Sequence, residues 1–376
     1  MTFRLKLTRP RLLLLAGALA VLCCACSPAY VMRAGWEETK ILFGRETIDE
    51  LLQDEDVSSE DKEKFKLVLN ARNYSESLGL KPEGSFTQYS DVERDVLLWV
   101  LSASSPVEFS PITWWFPVVG RIPYKGFFDK DDAIEEAKEL EQKGFYFYLR
   151  PSPAFSTLGW FDDPLLSTVL AFDDVSLVNT VIHEVLHNTI WIKDNAPFNE
   201  SLANFVGTIG ARDFFQSELH TNQDYAEQAD AQWKDEVLFA AFLEKTKATL
   251  DDLYRRGKPE AEPERLSRQE ILDQRRILFE QIQSEWKELQ SSFISKSYHS
   301  AKISINNASI TAYQIYLTKP ELFSRHYTAC GESLERFIRS LKKFAKMESA
   351  RGKDSYSEFE KTVDSCLAGE KSDAKS

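Results

Sequence analysis

The stretch His183-Glu184-Val185-Leu186-His187 places two imidazoles one helical turn apart with a carboxylate between them. Residues four apart on an α-helix project from one face, so one rigid helix can present two nitrogen ligands to a single tetrahedral ion. Glu184 then stands beside the metal without being a ligand, where it can take a proton from a water activated by the ion. The flanking residues predict that helix. Asp173 and Asp174 are N-cap candidates, and Val178, Val181, Ile182, Val185, Leu186 and Thr189 recur at three-to-four spacing as an inward apolar stripe. The chain holds only 5 histidines in 376 residues, so the spacing is not a by-product of a histidine-rich composition.

A catalytic zinc normally takes three protein ligands and keeps one position open. No third histidine follows directly, because the chain continues Asn188-Thr189-Ile190-Trp191-Ile192-Lys193. Downstream, Phe198-Asn199-Glu200-Ser201-Leu202-Ala203 opens a second helical pattern. Ala203, Gly207 and Gly210 are small residues on it that would let the two helices approach closely. Glu200 is therefore the expected third ligand. Asp194 is the competing candidate, although it lies in the turn Lys193-Asp194-Asn195-Ala196-Pro197, where aspartate is a common turn former.

The start of the chain points to a compartment. Arg4, Lys6, Arg9 and Arg11 precede the apolar run 12–22, and Cys23-Cys24-Ala25-Cys26-Ser27 follows. A charged start, a short apolar core and small residues at its end describe an export signal too short for a comfortable membrane span. With three cysteines crowded at its end, it resembles a bacterial lipoprotein signal. Cys26, after Ala25, is the expected lipidation site, with Cys24 as the alternative and a plain secretory peptide as the competing reading. The expected location is the bacterial cell envelope, lipid-anchored to a membrane and facing the periplasm; by resemblance to lipoprotein sorting signals, Ser27 after the cysteine points to the outer membrane.

The formal charge is −13, and loss of residues 1–25 would leave 42 basic against 59 acidic residues, or −17. Such acidity excludes nucleic acid as a partner and makes anionic lipid surfaces poor ones, so attachment to a membrane would come from the acyl chain. Beyond the signal only Cys330 and Cys366 remain, candidates for a disulfide in an oxidising compartment.

The 43% apolar content supports a sizeable core. Residues 26–90 read as an N-terminal helical region, a pair of helical runs with Ser58 and Ser59 as cap candidates. Residues 91–215 read as an α+β zinc-binding core, with strands at 96–100, 114–124 and 145–149, a short helix at 131–143, and then the two metal helices. Residues 216–369 read as a C-terminal helical region containing an antiparallel hairpin, 226–254 and 267–293. Ser267 and Glu270 there form a capping-box signature. Residues 370–376 read as a disordered tail. The fold class is α+β, with a zincin-like metallopeptidase core made of a small sheet, the histidine helix and the glutamate-bearing helix. In such enzymes the sheet edge beside the metal takes the extended substrate as an added strand.

Several segments resemble the bacterial predicted-aminopeptidase family of exported zinc-motif lipoproteins: residues 114–126, 156–167, 183–187 and 198–203, and Asn306-Asn307-Ala308. Within them Leu158-Gly159-Trp160-Phe161-Asp162-Asp163-Pro164 is more family-specific than the zinc motif itself. The resemblance spans most of the mature chain and implies a metallopeptidase, called an aminopeptidase largely by analogy.

The expected chemistry is hydrolysis of a peptide substrate, with His183, His187 and Glu200 holding Zn²⁺ and Glu184 as general base. The oxyanion of the tetrahedral intermediate needs a donor, and Tyr313 and Tyr316 are the candidates, ahead of His299 and His326. Asp162 or Asp163 could orient a ligand imidazole. An aminopeptidase must also hold the substrate's free amine, and no separate acid identifies itself for that task. The competing reading is a non-catalytic zinc-containing envelope lipoprotein that binds peptides or assists assembly. Oligomeric state is not legible.

Overall fold

The computed structural model of the chain describes residues 36–366, apart from 38, 117–119, 154–161, 219, 296–297, 299–302, 352–353 and 364–365. Cys24 and Cys26, the rest of the leader, His299, the 158–161 part of the aromatic turn and the tail lie outside the described residues. What is described is a mixed α+β fold, mostly helical, with three small sheets.

The central sheet has the order β6-β3-β7, with β3 (Leu98–Ser104) between β6 (Lys125–Phe127) and β7 (Tyr146–Ser152), antiparallel to both. Alternation sends Leu101, Ala103 and Phe127 to one face, where they pack on Ala133, Ala137 and Leu140 of helix α2 (Lys130–Gln142). The other face carries Leu98, Val100, Gly126 and Arg150, which are in register because Val100 pairs with both Gly126 and Arg150. β4 (Trp114–Phe116) and β5 (Gly120–Ile122) form a separate hairpin.

Helix α3 (Asp174–Thr189) carries the histidine motif. The Asp173 side chain caps it by accepting from the Ser176 amide, and Val178, Val181, Ile182, Val185 and Leu186 are fully buried as their spacing requires. Helix α4 (Ala196–Gln216) is capped by Asn195 and has Pro197 in its first turn. It is buried on nearly every side, which is why its apolar residues run all round it rather than in a stripe. Around it close α1 (Ser59–Ser77) and three helices near the C-terminus, α8 (Pro320–Ala329), α9 (Leu334–Phe344) and α10 (Ser355–Glu360). Phe198 of α4 meets Phe323, Phe344 and Phe359 with ring centroids 5.6, 5.7 and 5.6 Å away. The N-terminal region, helices α3 and α4 and the C-terminal helices thus share one hydrophobic core.

The N-terminal region has the second expected helical run as one long helix, α1, and the first as short helical pieces at 39–43 and Ile48–Leu51. It adds two three-residue strands, β1 (Arg45–Thr47) and β2 (Gln88–Ser90), which join β8 (Leu165–Leu166) in a sheet of order β1-β2-β8. Strands so short contain no readable alternation, and their pairing partners are distant in sequence. The expected hairpin is present as α5 (Gln223–Arg255) and α6 (Arg268–Leu289), with the Ser267–Glu270 capping box formed. It has a core of its own around Phe239, Phe242, Ile282 and Trp286, which α7 (Asn307–Tyr316) completes with Ile310 and Tyr313.

Cys330 and Cys366 form a disulfide, with Cα atoms 5.1 Å apart. His326 lies fully buried nearby, stacked on Phe359 at 4.5 Å and bonded through Nε2 to Ser340 Oγ at 2.9 Å. Burial pushes its pKa down to about 4. It is a core histidine, neutral at ordinary pH.

Candidate metal centre and cleft

His183 and His187 project from one face of α3, their Nε2 atoms 3.2 Å apart. Helix α4 brings Glu200 to them, with Oε2 3.4 Å from His183 Nε2 and 3.5 Å from His187 Nε2. Two local features permit this. A Cβ at Gly207 would lie 2.3 Å from Asn179 Oδ1 and 2.9 Å from the Asn179 carbonyl, so only glycine lets α4 approach α3 this closely; a Cβ at Gly210 would press on Ile182 at 3.0 Å. The turn between the helices is held by buried Asn199, whose side chain accepts from the Ile192 amide at 2.9 Å and donates to the Ile192 carbonyl at 2.7 Å. Asp194 sits in that turn with φ of 60°. It is not part of the donor group.

The three donor atoms fit a metal ion. A tetrahedral ion with bonds of about 2.0–2.1 Å requires donor separations of roughly 3.3–3.4 Å, and those observed run from 3.2 to 3.5 Å. Burial alone would raise the Glu200 carboxyl, but His187 and His183 hold it well below the usual carboxylate range. Burial would likewise lower His187, and Glu200 reverses this and raises it. Three polar groups confined so tightly in a buried place are a ready site for a dication. The outer nitrogen of His187, Nδ1, and Glu184 Oε2 are buried with no hydrogen-bond partner among the described residues. Trp191 packs edge-on to the His187 ring at 5.4 Å.

Glu184 and the three donors line a cleft of about 670 Å³, bounded opposite by the sheet face bearing Val100, Gly126 and Arg150. The sheet residues that line the cleft, Leu98, Val100, Gly126, Arg150 and Ser152, run across one face of it from edge to edge. Tyr316 also lines the cleft, its hydroxyl accepting from Arg150 Nη2 at 3.3 Å. Burial and the nearby Glu200 push this phenol up to about 12 against the opposing pull of Arg150, so at neutral pH it keeps its proton as a donor. Tyr313 is placed elsewhere, bonded to Tyr148 Oη at 2.9 Å and packed on Phe239 at 5.3 Å in the hairpin core. Asp162 accepts from the Gly84 amide at 2.9 Å and Asp163 receives the Phe86 amide on its carbonyl at 2.8 Å; both brace the 84–86 loop.

The sequence did not reveal Arg150, Tyr124 or Glu236 as lining residues. Arg150 reaches the cleft through strand register, and Glu236 lies on a polar helix whose cleft-facing side carries no pattern. Asn204 was missed as well, although its place one helical turn beyond Glu200 was a signal that could have found it.

Gly207→Ala is expected to cost about 1–3 kcal/mol of stability by forcing α4 away from α3. The affinity of the site for a divalent metal ion should fall about 10–100-fold, as when ligand support is lost elsewhere. Denaturant unfolding and chelator competition measure the two effects, and unchanged affinity would show that helix spacing does not set the donor geometry.

Fold and site together define a mixed α+β protein with a candidate metal centre of two histidines and a glutamate in a cleft. The chain belongs to the family described as "putative aminopeptidase", whose model matches residues 29–355, and this membership suggests peptidase activity. No curated protein and no solved structure matches the chain.

Proposed function

We propose that the protein is a zinc-dependent peptidase, acting as an aminopeptidase, that hydrolyses peptide bonds in the bacterial envelope. One observation carries the reading: three donor atoms at tetrahedral spacing, beside a glutamate outside the donor group whose buried Oε2 has no partner among the described residues. His183, His187 and Glu200 would hold Zn²⁺. When bound, the ion supplies Lewis-acid chemistry, making water acidic enough to react near neutral pH and polarising a carbonyl. Glu184 accepts a proton from the attacking water and returns it to the leaving amine. Tyr316, neutral and held by Arg150, donates to the oxyanion, and the guanidinium adds fixed positive charge in the same wall. Arg150 also stacks over the Tyr316 ring at 5.4 Å, which orients both groups. The sheet, α3 and α4 together would form a zincin-like core.

The envelope assignment rests on the leader residues, with Cys26 as the acylated residue and the membrane as the anchor. Among the described residues no helix is long and apolar enough to cross a membrane. The Cys330–Cys366 disulfide suits an oxidising compartment.

Chelation tests the function. Purified protein should hydrolyse short free-amine peptides, lose this activity with a chelator and regain it with one equivalent of Zn²⁺. Zinc-loaded protein that cleaves no peptide would overturn the reading.

A further inference from the structure

We infer that Glu236 is the group that receives the substrate's free α-ammonium, so that the cleft takes peptides with an unblocked N-terminus. This rests on the peptidase reading and supplies the acid that the sequence did not reveal.

Glu236 stands on α5 and lines the cleft that contains Glu184 and the three donors. It is tied to the metal helix through Asn204, whose Nδ2 donates to Glu236 Oε2 at 2.8 Å. Asn204 follows Glu200 by one turn of α4, which puts their Cβ atoms about 5–6 Å apart on one face. The shared cleft suits the chemistry, because the α-nitrogen of a peptide lies two bonds from the carbonyl carbon attacked at the first bond. A group that recognises the amine must therefore stand close beside the reacting centre.

Among the described residues no cation stands against Glu236. Asn204 is its hydrogen-bond partner, and no Lys, Arg or His pairs with it among the described residues. Asp235, its neighbour, is committed to the Ile294 and Ser295 amides at 2.8 and 2.7 Å. Gln232 and Tyr298 complete this part of the wall. Burial raises the Glu236 pKa to about 8, against the Asn204 hydrogen bond and with help from Asp235. A half-buried carboxyl with no positive partner among the described residues is poorly satisfied, and an arriving ammonium is the charge that would complement it. Ammonium binding would ionise the carboxyl and release its proton.

The test is calorimetry on the zinc-loaded Glu184→Gln protein, which binds without turning over. The probes are tri-alanine and N-acetyl-tri-alanine, each measured near pH 7 in two buffers of different ionisation enthalpy. Free tri-alanine should bind about 10–100-fold more tightly than the acetylated peptide, the range of a charge-assisted hydrogen bond, and should release a proton. Adding Glu236→Gln should remove both the preference and the proton release while leaving the acetylated peptide's affinity within about twofold. A preference that survives Glu236→Gln, equal binding of the two peptides, or no binding by either overturns the inference. Should the Gln variant lose its melting transition, Glu236→Asp decides: a weakened preference with proton release kept supports the role, and an unchanged preference overturns it. Glu236-dependent binding by a wild-type protein that hydrolyses nothing would leave this inference standing and remove the peptidase reading.

Discussion

Glu184→Gln is expected to lower peptide hydrolysis about 10²–10⁴-fold, the usual contribution of a positioned general base, with zinc content and melting behaviour unchanged. The amide has the same shape as the carboxylate but cannot take a proton from water. Because Glu184 Oε2 has no hydrogen-bond partner among the described residues, the substitution breaks no contact there that holds the fold. A kcat that falls while bound zinc stays stoichiometric therefore reports chemistry. Full activity in the variant would remove Glu184 as the base. A wild-type protein that binds zinc and peptide, with no cleavage for the variant to lose, would instead favour the non-catalytic envelope lipoprotein.

Glu200→Ala is expected to weaken zinc binding by more than about 100-fold. Loss of residues that merely support metal ligands costs about 10–100-fold, and Glu200 supplies one of the three donor atoms itself. With zinc fixed at 100 times the wild-type Kd, about 2.7 kcal/mol of ligand-linked stability should disappear, together with the zinc-induced rise in Tm. Asp194→Ala is the matched control, because Asp194 lies in the turn outside the donor group. It should leave affinity within about twofold. The reverse pattern, with Asp194 required and Glu200 dispensable, would overturn the ligand set. Metal competition with a chromophoric chelator measures both variants.

How much was legible in advance differs between the halves of the site. The histidine helix could be read completely, because its cap at Asp173, its apolar spacing and its two imidazoles are local properties of consecutive residues. The approach of α4 could be read from Gly207 and Gly210, since small residues at helical spacing have a direct steric meaning. The hairpin was legible through its length and the Ser267–Glu270 cap. Strands β1, β2 and β8 were not, because two or three residues show no alternation and owe their existence to long-range pairing. Tyr313 and Tyr316 looked equivalent in sequence, yet one enters the hairpin core and the other the cleft. Which way each faces depends on the elements packed against α7.

The sequence by itself determined the chemistry available: two imidazoles on one helical face, a base between them, and a carboxylate on a helix slim enough to come near. Periodicity and side-chain size suffice for that, and both are written in consecutive residues. Only the tertiary structure decided what surrounds the two imidazoles and the Glu200 carboxylate. The pairing of Val100 with Arg150 sets a cation in the opposite wall, and the packing of α5 on α4 places Glu236 against Asn204. Such groups come from segments far apart in the chain, and strand register and helix packing, which no local pattern encodes, bring them together.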